Sequence, residues 1–306
     1  MVEYVVTYIS HGDALSDSEI EEITSKIELE LGIKVLRSCR LGQRASDTFF
    51  EITIKGSVKD SLNGVIDAYT DIDIIVQVNN DTRQNKKLMV FDMDSTLIYQ
   101  EVIELIASYA NVEEKVREIT DLAMNNEINF KESLRQRVRL LKGLEIESLY
   151  DEIKQKLRIT NGVKELVRFM QNTQKDCKFS VLSGGFIQFA EFIATQLNFD
   201  YKRANLLEVD SEGKLTGETI GDIVDGQYKA ETILQLHKNY KIDRQSSVMV
   251  GDGGNDLPAM GVAGFGIAWN AKPKVQKQAP CKLNSTSMLD VLYIFGYTQE
   301  QIEAGL

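Results

Sequence analysis

The chain has 306 residues, 43% of them hydrophobic and 26% charged, enough apolar material for one large core or two moderate ones. A formal net charge of −11 excludes a protein that holds nucleic acid through a basic surface. No segment approaches the ~20 consecutive apolar residues of a membrane-spanning helix, so no membrane partner is expected. Any anionic ligand must then be drawn by a local cationic pocket. Cys39, Cys177 and Cys281 are odd in number and far apart, which suits reduced thiols in a cytoplasmic protein. Met1-Val2-Glu3-Tyr4 lacks the basic start of a secretory signal. His11 and His237 are isolated and do not form a zinc-type cluster.

Taken in chain order, Val2 to Ile9 is β-branched and strand-like, and Ser16 to Leu31 carries Ile20, Ile23, Ile27 and Leu31 at helical spacing. Ser16 followed by Glu19 predicts a capping box at that helix start. Strands are expected at Ile33 to Leu36 and Thr48 to Ile54, then a short helix through Leu62 to Tyr69 and a strand at Ile72 to Val78. The order βαββαβ predicts a ferredoxin-like domain over residues 1–80. The polar run Asn79 to Lys87 reads as a linker or a helical connector. Beyond it, short apolar strands at Leu88–Phe91, Lys178–Leu182, Ser247–Val250 and Phe265–Ala268 alternate with helical stretches. That pattern predicts an α/β domain over 81–306 with a Rossmann-like parallel sheet. Roughly eighty mostly helical residues separate the first two of these strands, far more than a crossover requires. They predict an inserted helical cap over about 99–170. A second insertion, Tyr201 to Ile223, turns at Asp210-Ser211-Glu212-Gly213 as a hairpin would.

Each core strand ends in chemistry. Asp92 and Asp94 follow Leu88–Phe91, at the carboxyl strand edge where open α/β sheets bind ligands. Two carboxylates so close resist ionising together unless they share a cation or a proton. Ser183-Gly184-Gly185 ends the second strand with a hydroxyl and unhindered N–H groups, suited to phosphate oxygens. Gly251-Asp252-Gly253-Gly254-Asn255-Asp256 ends the third; it lacks the glycine of a dinucleotide loop and the Gly-Lys-Ser/Thr of a Walker loop. Asp252 could complete an oxygen-ligand cation site. Lys229 stands near the start of a helix ahead of that strand, where it could serve as a phosphate counter-charge.

Acid pair, hydroxyl turn, lysine and acidic loop in this order resemble the haloacid dehalogenase-type phosphohydrolases, from Asp92 to Asp256. The resemblance implies Asp92 as nucleophile, Asp94 as general acid and base, and Mg²⁺ held by Asp92, the Asp94 carbonyl and Asp252. It further implies that Ser183, Gly184, Lys229 and Asn255 bind phosphate, with Asp256 orienting Lys229 or a metal-bound water. Lys87 to Leu292 is more narrowly similar to phosphoserine phosphatases, on Glu101, on Met124, and on Phe130 with Arg137 seven residues later. That similarity implies Glu101 as reader of the substrate ammonium, Arg137 of its carboxylate, and Met124 and Phe130 as an apolar wall. The front domain resembles ACT-type modules, with a single glycine in Ser10-His11-Gly12-Asp13 as the only hint of an amino-acid site. A dimerising or purely structural role is the weightier expectation for it, the former giving a homodimer. A phosphotransferase, a phosphatase for another small monoester, and an amino-acid sensor with a vestigial phosphatase domain are the alternatives.

Overall fold

The computed structural model describes residues 2–44, 47–56, 69, 71–124 and 127–306. By its contacts the chain divides into two units, Met1–Lys86 with Asn161–Asp176 and Cys281–Leu306, and Lys87–Thr160 with Cys177–Pro280.

In the first unit β1 (Val2–Ser10), β2 (Val35–Arg44), β3 (Asp47–Gly56) and β4 (Ile72–Val78) form an antiparallel sheet in the order β2-β3-β1-β4. With the helix Asp17–Leu31 this is the ferredoxin-like arrangement expected for the front of the chain. Ile20, Ile23 and Ile27 on one helical stripe bury against Val6, Tyr8, Ile52, Ile54 and Ile74 of the sheet. The capping box is present: the Ser16 N–H donates to Glu19 Oε2 at 2.8 Å and the Glu19 N–H to Ser16 Oγ at 3.3 Å. Gly32, at φ +63°, closes the helix in the left-handed region, where glycine lacks the Cβ penalty.

Two expectations need correction here. The second strand starts at Val35 and runs to Arg44, well past Leu36. Its stretch Arg37-Ser38-Cys39-Arg40 is polar because an edge strand buries little, so apolar patterning cannot reveal it. The Asn79–Lys87 run is also no free linker: Arg83 is buried, pairs with Glu51, and donates from Nε to the Ile294 carbonyl at 3.1 Å. Ile294 belongs to the carboxyl-terminal segment, which packs with this unit, stacking Tyr293 on Phe49 at a ring separation of 3.8 Å. The expected helix through Leu62 to Tyr69 lies outside the described residues up to position 68.

The second unit carries β5 (Leu88–Phe91), β6 (Lys178–Phe186), β7 (Tyr201–Val209), β8 (Leu215–Ile220), β9 (Ser247–Gly251) and β10 (Phe265–Trp269). They lie in the order β10-β9-β5-β6-β7-β8. The first five are parallel, and β8 pairs antiparallel with β7, so the sheet is mixed rather than wholly parallel. Every residue of β5 is fully buried, as a central strand covered on both faces requires. The register sets Phe91 opposite Val181 of β6 and Val250 of β9, so three strands deliver their next residues to one edge. The helices Val102–Tyr109, Glu113–Met124 and Phe130–Leu140 help line the cleft at that edge, and the helix Tyr150–Lys156 follows them in the chain. The next helix, Val163–Thr173, packs with the first unit.

Replacing Ser16 by Ala removes the acceptor that starts the helix Asp17–Leu31 and should cost about 1 kcal/mol of stability. A lower denaturant midpoint for S16A checks it; an unchanged midpoint means the cap contributes nothing.

Candidate active site

After Phe91 the chain cannot continue as a strand, because it must turn to reach the cap. It makes one irregular turn over Met93–Leu97, with Ser95 in the left-handed region at φ +54°. Such a conformation in a non-glycine residue costs on the order of 1 kcal/mol or more and needs support from its surroundings. The support is local: the Ser95 hydroxyl donates to Glu101 Oε1 at 2.6 Å, and the Ile98 N–H bonds back to the Met93 carbonyl at 3.1 Å. The turn holds Asp92 and Asp94 at the sheet edge and brings Glu101 back towards them.

Lys229 organises the acids. It is fully buried in the first turn of the helix Gly226–Tyr240, and Nζ donates to Asp92 Oδ1 at 2.8 Å and to Asp256 Oδ1 at 2.7 Å. Burial works against its charge, but Asp256 and Asp92 outweigh burial and raise its pKa. Asp256 also accepts the Gly253 N–H at 3.1 Å; burial and Asp92 push its pKa up to about 6, with the Lys229 ammonium opposing them. Asp252 accepts from the Thr96 hydroxyl at 3.3 Å, and burial beside Asp92 and Asp256 raises it well above the usual carboxylate range.

Carboxylate oxygens of Asp92, Asp252 and Asp256 converge within 4.8 Å of one another. A set of hard oxygen donors carrying more negative charge than one lysine can balance fits Mg²⁺. The Asp94 carboxylate stands apart from that cluster and accepts the Val102 N–H at 3.3 Å. Burial, then Glu101 and Asp92, raise its pKa well above the carboxylate range. A carboxyl whose proton affinity is raised by burial and neighbouring acids suits a proton donor.

The cleft above these groups has a volume of about 630 Å³. Asp92, Asp94, Glu101, Phe130, Arg137, Gly184, Asp252 and Asn255 all line it. Ser183 is buried behind Gly184 and accepts the Gly185 N–H at 2.8 Å. Met124 ends its helix, and its side chain lies outside the described residues. Burial raises Glu101 and lowers Arg137, each moderated by charge or hydrogen bonding from its neighbours. Thr120 and Ser133 also line the cleft beside Arg137. The sequence reading passed over both, because a Thr or Ser within an amphipathic helix carries no one-dimensional mark of what it faces.

The cap reaches the strand edge directly. A Cβ at Gly184 would lie 2.6 Å from Cζ of Phe130, and one at Gly185 would lie 2.5 Å from Asp94 Oδ2. Lys131, next to Phe130, pairs with Asp225 at 3.2 Å, tying the cap helix to the start of the Lys229 helix. G185A must therefore displace Asp94 and should lower kcat about a hundredfold, the usual cost of misplacing a reacting group by about 1 Å. Steady-state kinetics with any turned-over phosphate ester checks this, and unchanged kcat would show that Asp94 does not need its present position.

Residues 86–264 match the family model for haloacid dehalogenase-like hydrolases. The phosphoserine phosphatase of Saccharomyces cerevisiae is 58% identical over 307 aligned residues, covering 99% of both chains. A solved phospho-aspartyl intermediate analogue of phosphoserine phosphatase superposes with a TM-score of 0.63 at 38% identity, over 68% of this chain and 98% of that one. An unliganded probable phosphoserine phosphatase from Vibrio cholerae gives a TM-score of 0.69 at 29% identity, over 99% of this chain and 89% of its own. With three strand ends, a buried lysine and an acid cluster arranged for phosphate chemistry, the chain belongs to the haloacid dehalogenase-like hydrolases and is a phosphatase.

Proposed function

We propose that this protein hydrolyses O-phosphoserine to serine and phosphate, the last step of L-serine biosynthesis, through an aspartyl-phosphate on Asp92. The observation that carries this reading is one cleft lined by the acid pair Asp92 and Asp94 and by the opposite charges of Glu101 and Arg137. A zwitterionic amino-acid ester needs one anion and one cation at fixed separation, and a guanidinium can hold its carboxylate in bidentate fashion. The named phosphoserine phosphatases to which the chain is similar support the same substrate.

In this reading a carboxylate oxygen of Asp92 attacks phosphorus while the bond to the serine oxygen breaks. Asp94, whose proton affinity is raised by burial and by Glu101 and Asp92, gives its proton to the departing alkoxide. The now ionised Asp94 then takes a proton from a water as that water attacks phosphorus, releasing phosphate and restoring Asp92. Lys229, Asn255, Ser183 and the Gly184 backbone hold the phosphoryl oxygens as charge develops. Asp256 keeps Lys229 aimed at Asp92. Asp92, Asp252 and the Asp94 carbonyl would hold Mg²⁺, which when bound offsets repulsion between the nucleophile and its anionic substrate. Phe130, with Met124, would close an apolar wall over the substrate methylene.

The four-stranded front unit is read as an ACT-like module with a dimerising or structural role, in a cytoplasmic homodimer without nucleic-acid partners. No helix among the described residues is long and apolar enough to cross a membrane.

D92N should abolish phosphate release with Mg²⁺ present, whereas measurable turnover would remove Asp92 as nucleophile. R137A should cut kcat/KM for phosphoserine about a hundredfold, the scale of removing one partner of a buried charged contact. The same variant should hydrolyse O-phosphoethanolamine, which lacks only the carboxylate, nearly as the parent does. Equal losses on both substrates would give Arg137 a structural role.

A further inference from the structure

Glu101 and Arg137 face the same buried cleft with opposite charges, and each stabilises the charge of the other. Left to electrostatics alone they would collapse into an internal ion pair, since attraction between unit charges grows steeply as water is excluded. Such a pair would consume both recognition charges before any substrate arrived. Yet no ion pair joins the two; each is engaged by a hydroxyl instead. The Ser95 hydroxyl donates to Glu101 Oε1 at 2.6 Å. On the other side Arg137 Nη1 donates to Thr120 Oγ1 at 3.4 Å.

The contact at Thr120 has a fixed polarity. The Thr120 hydroxyl already donates its hydrogen to the Val116 carbonyl at 2.9 Å, one turn back in its own helix. Its oxygen can therefore only accept towards Arg137. The other anchor of the guanidinium is Nε donating to the Ser133 carbonyl at 3.3 Å, also one turn back in its own helix. That bond fixes the stem and leaves rotation of the planar head. Thr120, from the separate helix Glu113–Met124, supplies the second point that a plane needs. With Nε and one Nη1 hydrogen engaged, the second Nη1 hydrogen and both on Nη2 remain, the pair of nitrogens a carboxylate can grip side by side.

We infer that Thr120 is a positioning residue for substrate specificity, aiming Arg137 at the carboxylate of the substrate and holding it off Glu101. This rests on the reading of Arg137 given above and adds a residue that acts only through it.

The test compares full-length T120V, T120S and R137A, and the double variant T120V/R137A, on O-phosphoserine and O-phosphoethanolamine. T120V keeps the side-chain shape and removes the acceptor. It should raise KM for phosphoserine about tenfold with kcat little changed, and leave phosphoethanolamine within about twofold, the scale of one hydrogen bond to a charged group. T120S should restore the parent values, and T120V should add nothing in the R137A background. If R137A is selective but T120V is not, the positioning role is wrong while the substrate reading stands. If R137A itself hits both substrates equally, the substrate reading falls and takes the positioning role with it. Should T120V prove misfolded by its thermal midpoint, T120A carries the same comparison, with loss of selectivity supporting the inference and an even loss overturning it.

Discussion

The constraint from which the site follows is the placement of a fully buried ammonium, Lys229, between two carboxylates. Removing such a charge from water costs several kcal/mol and is tolerated only with close partners. Asp92 supplies one just after β5 and Asp256 the other from the turn that follows β9, so the lysine, Asp92 and the acidic loop must be built together. The parallel register of β5 with β9 brings the two strand ends level, and Asp225 caps the helix that delivers the lysine by accepting the Tyr228 N–H at 2.9 Å. Negative charge still exceeds positive, which is the physical opening for a divalent cation.

A second charge balance sits above the first. Glu101 and Arg137 approach from the turn after β5 and from a cap helix, and hydroxyls engage both. In the proposed function the lower layer would handle phosphate, whatever the ester, and the upper layer would discriminate among leaving groups. Because the cap lies on the catalytic edge through Phe130 against Gly184 and Lys131 against Asp225, changes in one layer reach the other through packing.

Asp94 links them. Its carboxyl lies so close to Gly185 that a side chain there would displace it, and its pKa is raised by burial and by both Glu101 and Asp92. Its proton affinity thus answers to the charge of Glu101 as well as to that of Asp92, so these acids are electrostatically one system.

Much of this was legible in the chain itself. Short apolar runs ending in Asp, Ser-Gly-Gly and Gly-Asp mark strand ends that carry function, because a buried central strand has no room for polar residues until it leaves the sheet. The capping box at Ser16 and the hairpin turn at Asp210–Gly213 are likewise local, set by residues three or four apart. What required tertiary structure is everything set by non-local neighbours. The polar edge strand β2 has no pattern of its own, and the run Asn79–Lys87 looks solvated until Glu51 and Ile294 are placed against Arg83. Thr120 becomes informative only when its helix lies beside that of Arg137, seventeen positions on. Sequence alone thus determined which groups could do the chemistry, since residue type fixes charge, donors and acceptors. The fold decided which protonation states and orientations those groups hold, because burial and distance, not identity, set the electrostatics.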